Sequence, residues 1–493
     1  MLAVLPKKDE DVSQQKQHPT RKIDGRTICA FVLALFQIAV VASGEEITAE
    51  VGKREVVFPD NYKGLRAFPD ERISFLRERP AKFLMVSGDR TVLMQSRSTL
   101  GKAVPVKVVL APGRKGGFDD GYAGIGGVYR DGRRVFGFYH AEQFLAKEPT
   151  PNAMMHWSVA LAVSKDDGHS FEKRGQILTY GRPTTTGRNI KGCGDIAVCP
   201  DQTGTYLYGY YTETTKNERG VVICMARSKI SDGLGPGTWK KFYNGEFTEP
   251  GLGGEDSPVV PFPLPRTTST HNPHVTYIKS FKKYVMVLDS LIWPDHKKNP
   301  PPDDGTYFCY SDNGIVWSKP KPLFVGNVTI PIVDRDYSAH PGLYIQNEAG
   351  NKATGWLINT YSPRWGGDRP NRQMHHMVRR KIELSLSDTV SQTFAAGSNW
   401  IGDAQSKDLR LTVIEREGKR FKARFESKGW VREVSGTKNG NAISWSKQDV
   451  RAIKGSAGGD NEGTIVTDDE GSRIDFVWRG GGKQGTFTLR KQD

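Results

Sequence analysis

Short hydrophobic stretches, each only long enough for a strand, alternate along most of the chain with turns rich in Gly, Asp and charged pairs, a pattern that predicts strands rather than helices. Four segments repeat one layout of strand, turn, aromatic-rich strand, loop and strand. They open with YAGIGGVYRDGRRVFGFYHAEQ, GDIAVCPDQTGTYLYGYYTET, NPHVTYIKSFKKYVMVLDSLIW and HPGLYIQNEAGNKATGWLINTYSP. The first strands begin near Tyr122, Asp195, Pro273 and Pro341, a spacing of roughly 70 residues, long for a sheet repeat but enough for four strands with extended loops. Upstream, AKFLMVSG, TVLMQSRS and VKVVLAP supply the strands of a fifth unit.

Radial repetition of small sheets hides most strand edges, so this pattern predicts an all-β chain with a five-bladed β-propeller over residues 45–395, its strands running from Ile47 to Leu384. Beyond it the character changes. Short strands such as LRLTVIER, KRFKARFES and RIDFVWRG, separated by Gly, Asn and Asp turns, predict a small accessory β-barrel or β-sandwich over 396–493. It is expected either to bind carbohydrate or to serve as a structural cap. At the other end, basic Arg21, Lys22 and Arg26 precede the apolar run Ile28–Val41 and the small residues Ala42, Ser43 and Gly44. This reads as a signal peptide over 1–44 with a polar extension, and a run of that length is short for a membrane span. The mature chain is expected to be secreted or periplasmic, with no stable membrane insertion after cleavage.

Composition agrees with a turn-rich β protein: 54 Gly, 28 Pro and 10% aromatic residues. The formal charge is +15, and residues 1–44 contribute only six basic and four acidic side chains to it. A basic exported protein can meet acidic polysaccharide, or its charge can simply solvate the surface; no aromatic-basic motif accompanies it, so nucleic acid is not expected. Of five cysteines, Cys29 lies in the signal, and Cys193, Cys199, Cys224 and Cys309 permit two disulfides in any of three pairings. Their spacing is poor for zinc. No cofactor is expected, with room left for a structural calcium ion.

The stretch SKDDGHSF concentrates charge, yet Ser164, Asp166, Gly168 and Phe171 fit a turn pattern of Ser-x-Asp-x-Gly-x-x-aromatic, in which the carboxylate accepts backbone N–H groups and glycine takes positive φ. DNGIVW repeats Asp312, Gly314 and Trp317, with Tyr310 at the serine position. Here the sequence resembles the Asp-box propellers and, more widely, the sugar-cleaving propellers. Such a turn joins the third and fourth strands of a blade, so chemistry is expected on the opposite face, where loops from every blade converge.

The residues at those positions are Asp119, Asp120, Arg188, Asp195, His271, His274, Asp334, Arg335, Asp336 and His340 before first strands, and His140, Glu142, Tyr211, Glu213, Asp289, Trp293 and Tyr361 after second strands; a loop adds Glu255 and Asp256. Carboxylates, histidines and aromatics in one channel suit cleavage of a glycosidic bond. The propeller region resembles the five-bladed glycosidases of the arabinanase, xylosidase and invertase families. That resemblance implies a base and a tuning carboxylate at Asp120 and Asp195 and an acid for which Glu142, Glu213 and Glu255 compete. Glu142 or Glu255 is the expected acid, with Asp119, His140, Arg188, Tyr211, Glu213, His274, Asp289, Trp293, Asp336, His340 and Tyr361 contacting carbohydrate. The chain departs from those families at Asn272-Pro273-His274 and lacks a Glu-Gly-Pro or Arg-Asp-Pro motif. Two alternatives stay open. A sialidase-like scheme would recruit Arg188, Arg335, Arg364 and Tyr361, although no Arg-Ile-Pro occurs near residue 45. A non-catalytic glycan-binding propeller would use the same aromatics, with carboxylates that only bond hydroxyls. As ordinary structure, a lone Asp before a strand caps a turn, and His271 with His274 are satisfied polar residues.

Overall fold

The computed structural model describes residues 45–493 except 61, 66–70, 99, 146–154, 182–190, 215–220, 262–267, 293–303, 326–334, 366–374, 389–395, 403–407, 418, 440–441, 455–459, 469–470, 481–482 and 493. The signal-peptide expectation and the residues Arg188, Trp293 and Asp334 therefore lie outside the described residues, as do the side chains of Arg335 and Arg364. The described chain is all-β, with only three-residue 3-10 turns besides strands. It divides into two compact units, Glu46–Ser387 and one containing Asp388–Asp493.

In the first unit strands pair antiparallel with their sequence neighbours to give five successive sheets. Sheet I comprises Ser74–Arg77, Lys82–Ser87, Arg90–Gln95 and Val104–Leu110; sheet II comprises Tyr122–Asp131, Arg134–Phe144, Met155–Ser164 and Glu172–Leu178. Sheet III runs Lys191–Pro200, Tyr206–Thr214, Val221–Lys229, Lys240–Tyr243 and Glu246–Pro250. Sheet IV runs Thr268–Ile278, Lys283–Ile292, Gly305–Ser311 and Lys321–Val325. Short parallel contacts, Arg90 with Ala123 and Lys191–Gly192 with His156–Trp157, join sheets I, II and III into one thirteen-stranded path. Sheet V holds Arg335–Ala349, Lys352–Trp365 and His376–Asp388, and is completed by Glu45–Val51 and Glu55–Phe58 from the start of the described chain. The last sheet is thus stitched shut by the first strand, which removes an open edge.

Five hydrophobic clusters lie between consecutive sheets and return to their starting point. Leu84 and Leu93 of sheet I pack with Ile125 and Tyr139 of II; Phe138 and Leu161 of II with Ile196 and Trp239 of III. Tyr210 and Ile223 of III meet Tyr284 and Trp317 of IV; Val285 and Val287 of IV meet Leu343 and Leu357 of V. Ile358 and Met377 of V close on Phe83 and Met85 of I. A sheet covered on both faces needs apolar residues on both, which is why KFLMVS is buried at every position instead of alternating. The four cysteines sit within these layers as free, buried thiols, so the two permitted disulfides are not formed.

The second unit solves burial differently. Its strand Arg420–Ser427 alternates between exposed and buried as far as Phe425, the pattern of a sheet with one wet face. Asn399–Gly402, Arg410–Glu417, Arg420–Ser427, Trp430–Asn439, Ala442–Trp445, Asp460–Asp468, Gly471–Gly480 and Lys483–Lys491 pair in a closed cycle, sealed by Arg420–Ser427 against Trp430–Asn439. Inside this eight-stranded barrel Trp400, Phe421, Phe425, Trp445 and Phe476 form one core.

Candidate functional site

The turn at Ser164–Phe171 joins the third and fourth strands of sheet II and is held by its own side chains. Gly168 N–H donates to Ser164 Oγ at 2.8 Å, Ser170 N–H to Asp166 Oδ1 at 2.8 Å, and Ser164 O–H to the same carboxylate oxygen at 2.7 Å. Despite some burial, bonds from Ser170 and Ser164 keep Asp166 well below the usual carboxylate range. Asp167 is taken up by Lys82 and Arg130. The second copy departs from the alignment of Asp312 with Asp166. There Ser311 is the hydroxyl that receives Gly314 N–H at 2.9 Å, and Asn313 Oδ1 accepts Ile315 and Val316 N–H, while Asp312 turns away to Lys283. The turn is one residue shorter than SKDDG, so matching offsets from the aromatic picked the wrong acidic residue.

Chemistry gathers instead where first strands break. In sheets III, IV and V two residues of the first strand face one of the second: Asp195–Ile196, Asn272–Pro273 and His340–Pro341. The leading residue of each pair is left-handed, with φ of 48°, 52° and 56° for Asp195, Asn272 and His340. Such bulges re-aim a side chain out of the pleat, and a non-glycine residue there is strained unless its surroundings hold it. They do hold it. Arg72 Nη1 and Nη2 donate to the carbonyls of Ile196 at 2.8 Å and Asp195 at 3.1 Å, and Nη1 also to that of Gly126 at 3.1 Å. Asn272 N–H donates to Thr212 Oγ1 at 3.1 Å, and His340 N–H to Asp289 Oδ2 at 3.0 Å.

Around the first bulge a buried cluster assembles from three sheets. His140 Nδ1 lies 3.2 Å from Asp195 Oδ1 and 3.8 Å from Glu71 Oε1, and His140 Nε2 lies 3.7 Å from Glu142 Oε1. Glu71 is fully buried, 3.6 Å from Arg72, and neither of its carboxylate oxygens has a hydrogen-bond partner among the described residues. The imidazole is walled by Trp157 and Tyr122, with ring centroids 4.7 and 5.4 Å away. Two glycines make room: a Cβ on Gly194 would stand 2.8 Å from the His140 ring, and one on Gly126 would stand 2.7 Å from Glu71 Oε2. Burial pushes the Glu71 carboxyl up. Burial opposes charge on His140 and Asp195, yet their mutual contact, helped by Glu71 and Arg72, raises the imidazole and holds Asp195 low.

A second cluster lies on sheet III. Cys193 donates to Glu213 Oε2 at 2.9 Å, and Tyr211 O–H to Asp256 Oδ2 at 2.9 Å. Lys241 Nζ, fully buried, donates to Asp256 Oδ2 at 3.1 Å and to the carbonyls of Thr179 and Gly254 at 2.8 Å each. Burial, with the Asp256 charge nearby, pushes Glu213 up to about 8. Burial would pull Lys241 down, but Cys193, Asp256 and Glu213 together raise it. In sheet IV Asp289 accepts from Asn272 Nδ2 and His340 N–H at 3.0 Å and Thr306 Oγ1 at 3.1 Å; burial outweighs these bonds and pushes it to about 7.

Several expected site residues are placed elsewhere. Asp120 clamps a turn, accepting Gly116 N–H at 2.7 Å and Phe144 N–H at 2.9 Å. Asp119, in the turn before sheet II, takes Lys173 and the Tyr139 hydroxyl of that sheet. Burial drives His274 down to about 3, and as a neutral acceptor it takes Leu343 N–H at 3.1 Å. Burial likewise lowers His271 to about 4. Tyr361 donates to Asp336 at 2.6 Å and carries Arg54 on its ring at 3.4 Å, and among the described residues it is paired with no glutamate. Glu255 contributes a backbone N–H to Glu249. Glu71, Arg72 and Lys241 went unnamed in the sequence reading. The pair Glu71-Arg72 lies just ahead of the strand Ser74–Arg77, whereas Asp195 sits inside its strand, at the bulge.

No family model matches the sequence, and no curated protein does. Among solved structures, the chain is similar to a family 117 glycoside hydrolase from the marine bacterium Zobellia galactanivorans, at 12% identity and TM-score 0.42, covering 68% of this chain and 90% of that one. It is similar to the endo-1,5-alpha-L-arabinanase of Thermotoga petrophila at 10% identity and TM-score 0.39, over 88% and 99%. It is similar also to an N-acetylgalactosamine deacetylase from F. plautii at 10% identity and TM-score 0.41, over 69% and 97%. Solved structures similar to this chain thus include glycoside hydrolases, and the chemistry of the site rests on its own residues.

Proposed function

We propose that the Glu46–Ser387 unit is a five-bladed β-propeller and that the protein is an exported glycoside hydrolase acting on a poly- or oligosaccharide. The blade reading is supported by the cycle of five inter-sheet cores and by the first strand completing the last sheet. The observation that carries the function is the repeated bulge, which turns Asp195, Asn272 and His340 out of the first strands of three successive sheets, with Glu71, Arg72 and His140 packed against the first of them. Hydrolysis of a glycosidic bond needs a place where water is activated and a carboxyl that still carries its proton. In this reading water is activated at Glu71, His140 and Asp195. Glu213, protonated to about pH 8, gives its proton to the leaving oxygen; the oxygen of water joins the anomeric carbon, and the water's own proton passes to the cluster. The +15 charge favours acidic glycans among the substrates.

Release of reducing sugar from a panel of neutral and acidic glycans, run beside a binding array, tests this. Asp195→Asn should reduce turnover by roughly a thousandfold, the scale of losing a group that acts only in the transition state, with the circular dichroism spectrum unchanged. Near-normal turnover in that variant would overturn the assignment. Binding without release by the wild type would favour a glycan-binding propeller.

A further inference from the structure

We propose that Glu71, His140 and Asp195 form a binding site for one first-row divalent cation, of the Mn2+ or Zn2+ kind. Their ligand atoms all lie within 4.8 Å of one another. Donors at about 2.0–2.2 Å from a shared ion stand about 3 to 3.5 Å apart at tetrahedral or octahedral angles. His140 Nδ1 is already 3.2 Å from Asp195 Oδ1 and 3.8 Å from Glu71 Oε1, so small side-chain rotations complete the fit. Proximity of acidic groups would not suffice by itself. The independent observation is Glu71, fully buried and with no hydrogen-bond partner on either oxygen among the described residues; a carboxylate withdrawn from water is costly unless something replaces the lost solvent.

The surroundings suit a ligand histidine. Glu142 stands 3.7 Å from the far nitrogen, Nε2, and a bound ion would take the place of the proton through which Nδ1 now meets Asp195. Trp157 and Tyr122 fix the plane of the ring. Arg72 faces Glu71 Oε2 and leaves Oε1 toward His140. One imidazole and two carboxylates favour Mn2+ or Zn2+ over Ca2+, which prefers six or more oxygens. The second cluster, Cys193, Glu213 and Asp256, also brings three donors within reach, but the Lys241 ammonium already bonds Asp256 and two carbonyls there. The catalytic meaning of a cation at the first cluster, carrying the attacking water, rests on the hydrolytic reading; its binding does not.

The test uses the full chain, stripped with chelator and titrated with Mn2+ by calorimetry, followed by pulsed electron paramagnetic resonance of the bound ion. One Mn2+ per chain is expected, with coupling to a single imidazole nitrogen. Glu71→Gln, which keeps the shape and removes the charge, should weaken binding at least a hundredfold. Failure of the wild type to bind Mn2+, absence of nitrogen coupling, or unchanged affinity in Glu71→Gln would each overturn the proposal. Because no glycan is present, stoichiometric binding without sugar release would uphold the cation site and count against the hydrolase alone.

Discussion

The two buried acidic clusters differ in what neutralises them. At Cys193, Glu213 and Asp256 the chain supplies its own cation: Lys241 comes from the fourth strand of sheet III, and all three of its protons find oxygens. At Glu71 and Asp195 the cations are Arg72, largely engaged with backbone carbonyls, and His140, charged only when protonated. Lysine ties Asp256 into a structural knot and leaves beside it a protonated Glu213 with one oxygen unbonded among the described residues. The cluster closed by a titratable ring, with both oxygens of Glu71 unbonded among the described residues, is open to a proton, a substrate or an ion.

The sharpest way to break this contrast is Lys241→Met. Removing the ammonium leaves Asp256 and two carbonyls buried without their donor, and breaking a buried pair in this way costs about 3–5 kcal/mol. Urea unfolding of this variant should show the loss as a lower midpoint at unchanged slope. A loss below about 1 kcal/mol would mean that the lysine is no knot and that the two clusters are alike.

A smaller effect comes from Glu213. Folded, it keeps its proton to about pH 8, whereas an unfolded glutamate releases it near its ordinary value of 4.5. The folded state therefore binds more protons between these values, and the stability from this group is full below about pH 4.5 and falls as pH rises to about 8. Glu213→Gln carries no proton to lose, so its melting temperature should decline less than that of the wild type over this window. Parallel profiles would show that Glu213 is ionised in the fold and would remove it as proton donor.

Strand periodicity made the sheets legible in the sequence, because burial on both faces gives KFLMVS-like runs and one wet face gives the alternation of Arg420–Ser427. The bulges were not. A first strand that places two residues opposite one changes no hydrophobic pattern, and only the register shows that Asp195, Asn272 and His340 are equivalent. Asp195, His140 and Glu142 were found because polar residues stand out where a hydrophobic run begins or stops, although the strands extend past all three. Asp120 stood out for the same reason, yet it clamps a turn, since an acidic residue before a strand looks the same in both roles. Glu71 escaped notice because the first sheet repeats the common layout least clearly. The Asp312 turn failed through a one-residue shortening that conserved the aromatic offset but moved the capping role to Asn313.

The smallest expected effect separates the clusters most finely. Glu71→Gln in chelated buffer removes a buried carboxylate that accepts no hydrogen bond among the described residues. Arg72 keeps its three carbonyls and His140 keeps Asp195. Burial already pushes this carboxyl up, so it destabilises the fold where it is ionised, and the neutral amide should change stability by only about 1 kcal/mol, with a gain as the expected sign. Urea midpoints with and without Mn2+ check this. In chelator the variant should equal or exceed the wild type; with Mn2+ the order should reverse, because only the wild type gains from the bound ion. A loss of about 3 kcal/mol in chelator would instead make Glu71 a structural partner of Arg72, and the two clusters would then differ only in which basic residue closes them.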